Sequence, residues 1–293
     1  MRDDAFCSAL SLAANEPLYG SAPHRRIWLL LEVNAAWDAQ ALAGSKLPPA
    51  ARAHIEDYLA ATPEAGILFI RQPGTHEGLR FFLAVGDATA PALYRFTLQD
   101  YEDLLRLDFA ALAGGAHAQP RDSEPLFLVC THGRRDRCCA QAGVPMFNAL
   151  RERVGARAWR CSHIGGHRFA PTVLFLPQGL CYGRMPLEAV DEVVDAHMAG
   201  RLEPRYLRGR CAWPAQVQAA AALLRRRTGL REIDGLQLVD EQQEARERWV
   251  VTLRAGGEAH RLRVQRLQGE RATRSSCIGD KTSAVYDWQL LQA

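Results

Sequence analysis

The chain alternates apolar runs of strand length with stretches of helical spacing. Arg26–Val33 (RIWLLLEV) is apolar at every position except Arg26 and Glu32, the signature of a strand in the middle of a sheet. Pro48 and Pro49 then open a helix that Ala53–Leu59 continues, because proline is tolerated in a first turn. Strands follow at Gly66–Arg71 and Leu79–Val85, and Thr97–Asp100 leads into a helix ending near Ala113. The segment Gly114–Pro120, with paired glycine and a proline, interrupts any period and predicts a linker.

Beyond the linker the same order recurs. Leu126–Cys130 predicts a strand, Val144–Val154 a helix and Ala158–Cys161 a short strand. Thr172–Leu176 and Leu180–Arg184 form a hairpin around Pro177–Gly179, and Pro186 opens a closing helix, Leu187–Met198. Two copies of one βαββα plan are compatible with thioredoxin-like sheets. The last ninety residues differ. A helix opened by Trp213-Pro214 ends near Gly229, Trp249–Leu253 and His260–Leu267 alternate around Gly256-Gly257, and Val285–Leu291 is a final strand. The expected fold is therefore α/β with an α+β tail: a degenerate half over 1–118, a second thioredoxin-like domain over 119–203 and a small C-terminal module over 204–293. The arginines of that module, Arg261, Arg263 and Arg266, are expected on a solvated strand face.

Composition narrows the class. With 293 residues, 48% apolar and 24% charged, the chain is expected to bury a sizeable core. Its N-terminus has no secretory pattern, and its longest apolar runs are strand-length, so a cytoplasmic protein without membrane spans is expected. A net charge of +3 with cations scattered among acids gives no nucleic-acid footprint. In a reducing compartment, eight cysteines point to metal or redox chemistry before disulfides.

Those cysteines are clustered. Cys130, Cys138 and Cys139 precede Cys161 and a His163-Ile-Gly-Gly-His167 turn. Adjacent cysteines point in different directions, so one of Cys138 and Cys139 joins Cys130. Two thiolates from one loop and two imidazoles from another suit a zinc site or a [2Fe–2S] cluster of mixed ligation. His132, Arg134, Arg135 and Asp136 lie between the cysteines. Of these, His132, Arg134 and Arg135, with Arg168 and Tyr182 further on, are candidates to donate hydrogen bonds around such a centre. Cys161 and Cys181 are expected in the core. The first half offers only Glu32, Val33 and Asn34 where the second has Cys130, which assigns it to scaffold or interface.

CTHGRRDRCC, followed after a helix by WRCSHIGGHRFAPTVLFLPQGLCYGRM, resembles the sucrase/ferredoxin-like family of thioredoxin-like ferredoxins, specifically over about Leu126 to Met185. The resemblance implies a [2Fe–2S] cluster held by Cys130, Cys139, His163 and His167, with Cys138 standing where the family has a non-ligand residue. It also implies a proline beside the site, here Pro171, of the kind often held cis. No pair of carboxylates lies in a glycosidase context, so sucrose cleavage is not expected. Electron transfer or redox sensing is the expected role, in company with a redox partner protein or a small-molecule donor or acceptor. A thioredoxin-like thiol–disulfide oxidoreductase and a zinc-stabilised binding module are the alternatives, and a homodimer is compatible with each.

Overall fold

The computed structural model describes residues 5–74, 76–115, 119–279 and 281–291. Along the chain run α1 (Cys7–Ala13), β1 (Ile27–Glu32), α2 (Pro49–Ala61), β2 (Ala65–Arg71), β3 (Leu79–Val85), β4 (Ala92–Leu98) and α3 (Phe109–Ala113). Next come β5 (Leu126–Cys130), α4 (Arg137–Val154), β6 (Ala158–Cys161), β7 (Thr172–Leu176), β8 (Leu180–Gly183) and α5 (Val190–Met198). The remainder is β9 (Leu207–Arg210), α6 (Ala215–Thr228), β10 (Gln237–Ala245), β11 (Arg248–Ala255), β12 (Glu258–Arg274) and β13 (Thr282–Leu290). The centre of the expected linker, residues 116–118, lies outside the described residues.

These elements form two compact units, one of Arg25–Ile164 with Val173–Gly179, the other of Met1–His24, Gly165–Thr172 and Leu180–Ala293. In the first, the strands lie in the order β4-β3-β1-β2-β6-β5-β7. β1 pairs parallel with β2 and antiparallel with β3. The same pattern recurs where β5 pairs parallel with β6 and antiparallel with β7. β2 and β6 meet only through Ile70↔Cys161 and Arg71↔Arg160. Every residue of β1 is buried, as its continuous apolar run requires of a strand covered on both faces. Leu29, Leu31, Ile55, Phe69, Phe81, Leu83 and Phe109 belong to one core under α2 and α3. Phe127 and Phe175 pack edge to face at 4.6 Å within the β5–β7 pair.

The second unit holds β8 paired antiparallel with β9 and an antiparallel sheet in the order β10-β11-β12-β13. α6 packs on β11, β12 and β13; Val217, Ala220 and Leu224 of the helix and Val251, Leu253 and Val264 of the sheet are buried. Gly229, in the left-handed region, ends α6, as a Cβ-free residue does at low cost.

Several boundaries differ from expectation. The helix α1 lies ahead of the first element read from the sequence, and Thr97 lies within β4, an element the sequence did not announce. The helix expected to run on to Ala113 is a 3-10 turn at Tyr101–Arg106 and then α3. Asp100 and Asp108 each accept two backbone N–H groups, so that stretch is capped twice. β10 (QLVDEQQEA) is exposed along almost its whole length, and its polarity conceals it from any search for alternation. Among the described residues, no helix is long and apolar enough to cross a membrane.

Candidate metal centre

The centre begins where β5 ends. Cys130, the last residue of that strand, is buried, and the chain then turns tightly. Gly133 N–H donates to Thr131 O at 3.0 Å, while Arg135 and Asp136 N–H both donate to His132 O at 3.1 and 3.2 Å. Asp136 caps α4 by accepting Cys138 N–H at 2.9 Å. α4 thus begins at Arg137, not at Val144 as the sequence suggested, and both Cys138 and Cys139 lie in its first turn. Pro145 sits inside the helix. Asp136 immediately before the cysteines was the signal that could have placed the start.

Gly143 lets α4 lie against the end of β5. A Cβ there would stand 2.0 Å from the Cys130 carbonyl oxygen. From the other side, β6 delivers the histidine. Ser162 N–H donates to Phe69 O at 2.8 Å, and Phe69 N–H donates to Ser162 Oγ at 3.0 Å. This reciprocal pair with β2 holds the backbone at His163.

Cys130 Sγ, Cys139 Sγ and a ring nitrogen of His163 lie within 4.8 Å of one another. His163 Nδ1 is 3.9 Å from Cys130 Sγ and 3.6 Å from Cys139 Sγ. Cys139 donates toward Cys130, which holds the Cys130 thiol well below its ordinary value against the opposing effect of burial. The same bond pushes the Cys139 thiol up, aided by burial and by the negative charge of Cys130 and Asp136. Two buried thiols with an imidazole beside them have the donor chemistry that a soft or borderline metal centre requires.

The other expected residues fall as follows. His167 belongs to the second unit, its Nδ1 lying 3.3 Å from Cys7 Sγ, and it is absent from the three-donor group. Gly165 and Gly166 have φ of 111° and 71°, and a Cβ on Gly166 would meet the Arg208 guanidinium at 2.3 Å. The Gly-Gly pair is therefore required by positive φ and by a close approach. His132 is buried, its Nε2 lying 2.8 Å from Asp38 O and its ring edge-on to Trp37. Burial pushes its pKa down. Arg134 and Arg135 are exposed. Arg168 Nε donates to Glu16 at 2.7 Å. Tyr182 is fully buried in β8, and that burial pushes its phenol up.

Cys161 is buried in β6, opposite Cys130 of β5, and Cys181 is buried in β8. The Ala170–Pro171 bond is cis, as is Leu176–Pro177. A cavity of about 220 Å³ opens beside His163, with His132, Arg135, Ser162 and Gln40 in its wall.

No curated protein matches the chain. Two solved structures are similar to part of it, both cysteine-to-serine variants of the thioredoxin-like [2Fe-2S] ferredoxin from Aquifex aeolicus. Each is 21% identical and covers 29% of this chain and 97% of its own, with TM-scores of 0.26 and 0.25. The sucrase/ferredoxin-like family model matches residues 18–209, a span that contains Cys130, Cys139, His163 and His167. The chain belongs to the sucrase/ferredoxin-like family.

Proposed function

We propose that the protein carries electrons or senses redox state through a [2Fe–2S] cluster held by Cys130, Cys139, His163 and His167. The observation that carries this is the buried convergence of two thiols and an imidazole within 4.8 Å. When bound, such a cluster supplies one-electron redox chemistry. Cys130 and Cys139 would be the anionic ligands, giving up their thiol protons on metal binding. His163 adds a neutral ligand at the rim, where the adjoining cavity gives a donor or acceptor access. His167 is the fourth ligand that the family resemblance implies. Two imidazoles in place of two thiolates would leave such a cluster less negative, with a potential above that of an all-cysteine centre. The repeated β1–β3 and β5–β7 pairing supports two thioredoxin-like halves, of which the second alone is equipped with ligands.

The test is anaerobic purification followed by a visible spectrum and metal analysis. Charge-transfer bands between about 300 and 600 nm with iron present support the cluster. Zinc without iron would favour the binding-module alternative, and metal-free protein with a reactive dithiol the oxidoreductase. His163→Cys should keep a cluster with a shifted spectrum and a lower potential. A ligand imidazole that sheds its distal proton on oxidation makes the potential fall with rising pH, by up to about 59 mV per unit for one proton per electron. A potential flat from neutral to alkaline pH would sink the histidine assignment.

A further inference from the structure

The turn over residues 165–169, which carries His167, lies against one buried side chain. Arg208, in β9, is only 2% exposed. Its Nη1 donates to Gly165 O at 2.9 Å, just ahead of His167. A Cβ on Gly166 would stand 2.3 Å from its Nη2, so the backbone at Gly166 rests directly on the guanidinium. Beyond His167, the Phe169 ring lies 5.0 Å from Arg208 Cζ. The turn closes on itself through Phe169 N–H donating to Gly166 O at 2.9 Å and Ala170 N–H donating to His167 O at 3.0 Å. One planar group therefore touches the chain on both sides of His167, and all of these residues belong to the second unit.

The guanidinium is itself fixed. Its Nε donates to Ser21 Oγ at 3.1 Å, Nη2 donates to Ser21 O, and Nη1 lies 3.4 Å from Cys181 Sγ. Among the described residues, none of the hydrogen-bond partners of Arg208 is a carboxylate. A buried cation without a paired anion is costly, and a neutral side chain would fill the same space at lower cost. What a neutral side chain would not supply is a rigid fork of donors, reaching Ser21 on one side and the turn on the other.

We propose that Arg208 is a positioning residue that fixes the backbone at Gly165 and Gly166 and so aims the His167 imidazole, a role that rests on His167 being a cluster ligand as proposed above. Lysine keeps the charge but has no fork, so Arg208→Lys separates positioning from charge.

The experiment compares the full chain with Arg208→Lys, His167→Ala and the double variant, each purified anaerobically, checked for folding by near-UV circular dichroism and reduced with dithionite. Pulsed electron paramagnetic resonance then counts the imidazole nitrogens coupled to the cluster spin, and a redox titration gives the potential. The parent should show two nitrogens. Folded Arg208→Lys should lose or shift the coupling of one, keep the other and move the potential. In the His167→Ala background the same substitution should change neither reading. Two unshifted couplings with an unmoved potential in folded Arg208→Lys overturn this proposal alone. So does an equal shift of potential in both backgrounds, which would mean that residue 208 acts by a route other than His167. A parent with no iron, or with fewer than two coupled nitrogens, overturns the ligand set itself and this role with it. Should Arg208→Lys not fold, Ser21→Ala removes an acceptor of the guanidinium that lies outside the turn. That variant must shift the same single coupling, and its failure to do so is equally fatal.

Discussion

At the scale of single residues, Gly143 decides how close the two cysteines come. An added methyl at an ordinary helix position in place of glycine is stabilising by up to about 1 kcal/mol. At Gly143 the methyl would meet the Cys130 backbone carbonyl oxygen at 2.0 Å, so α4 must move off β5. Gly143→Ala should therefore destabilise the protein by about 1–3 kcal/mol and reduce its iron content. Chemical denaturation and metal analysis read the two effects, and a variant as stable as the parent would refute the argument. The spacing of Cys130 and Cys139 is legible from the sequence. The role of Gly143 is not, because a glycine within a helical pattern looks the same whether it faces solvent or a strand end.

Among the elements, α4 and α5 illustrate different limits of sequence inference. The first turns of α4 lie ahead of the Val144 start that the sequence predicts, and they hold both Cys138 and Cys139. In α5, His197 lies in the last turn with only 5% exposure, although a histidine near a helix C-terminus is usually a surface cation. Burial pushes its pKa from 6.5 down to about 4, so the folded protein holds it neutral where the unfolded chain protonates it. The stability it contributes is whole above pH 6.5 and is lost as pH falls toward 4, by at most about 3 kcal/mol. The difference in unfolding free energy between the protein and His197→Asn should change over that window and be flat above it. A difference that stays constant from pH 7 to pH 4.5 would remove the buried-neutral assignment.

For the molecule as a whole, the second unit joins the two ends of the chain. Tyr19 OH donates to Asp287 at 2.8 Å, Arg226 lies over the Tyr19 ring at 4.2 Å, and a Cβ on Gly20 would meet Trp288 Nε1 at 2.6 Å. Trp288 itself is buried and packs on Trp249 at 5.6 Å. Trp288→Ala should cost about 3–5 kcal/mol. In hydrogen exchange the loss of protection should fall on residues 5–24 and on β10–β13, sparing β1–β3. Loss spread evenly over the chain would mean that the two ends do not open as one cooperative unit.

The sequence by itself determined the strands β1, β2, β3, β5 and β7, whose uninterrupted apolar runs leave no other way to bury them. It also determined family membership, because the Cys-x8-Cys and His-x-x-x-His spacings are local properties of the chain. Only the tertiary structure decided that β4 and β9 complete their pairings, that polar β10 is a strand, and that Cys130, Cys139 and His163 converge while Cys7 faces His167. Each of these depends on partners far away in the chain. Strand pairing, close approach of a helix to a strand end and the meeting of sulfur with imidazole arise from contacts that no local pattern encodes.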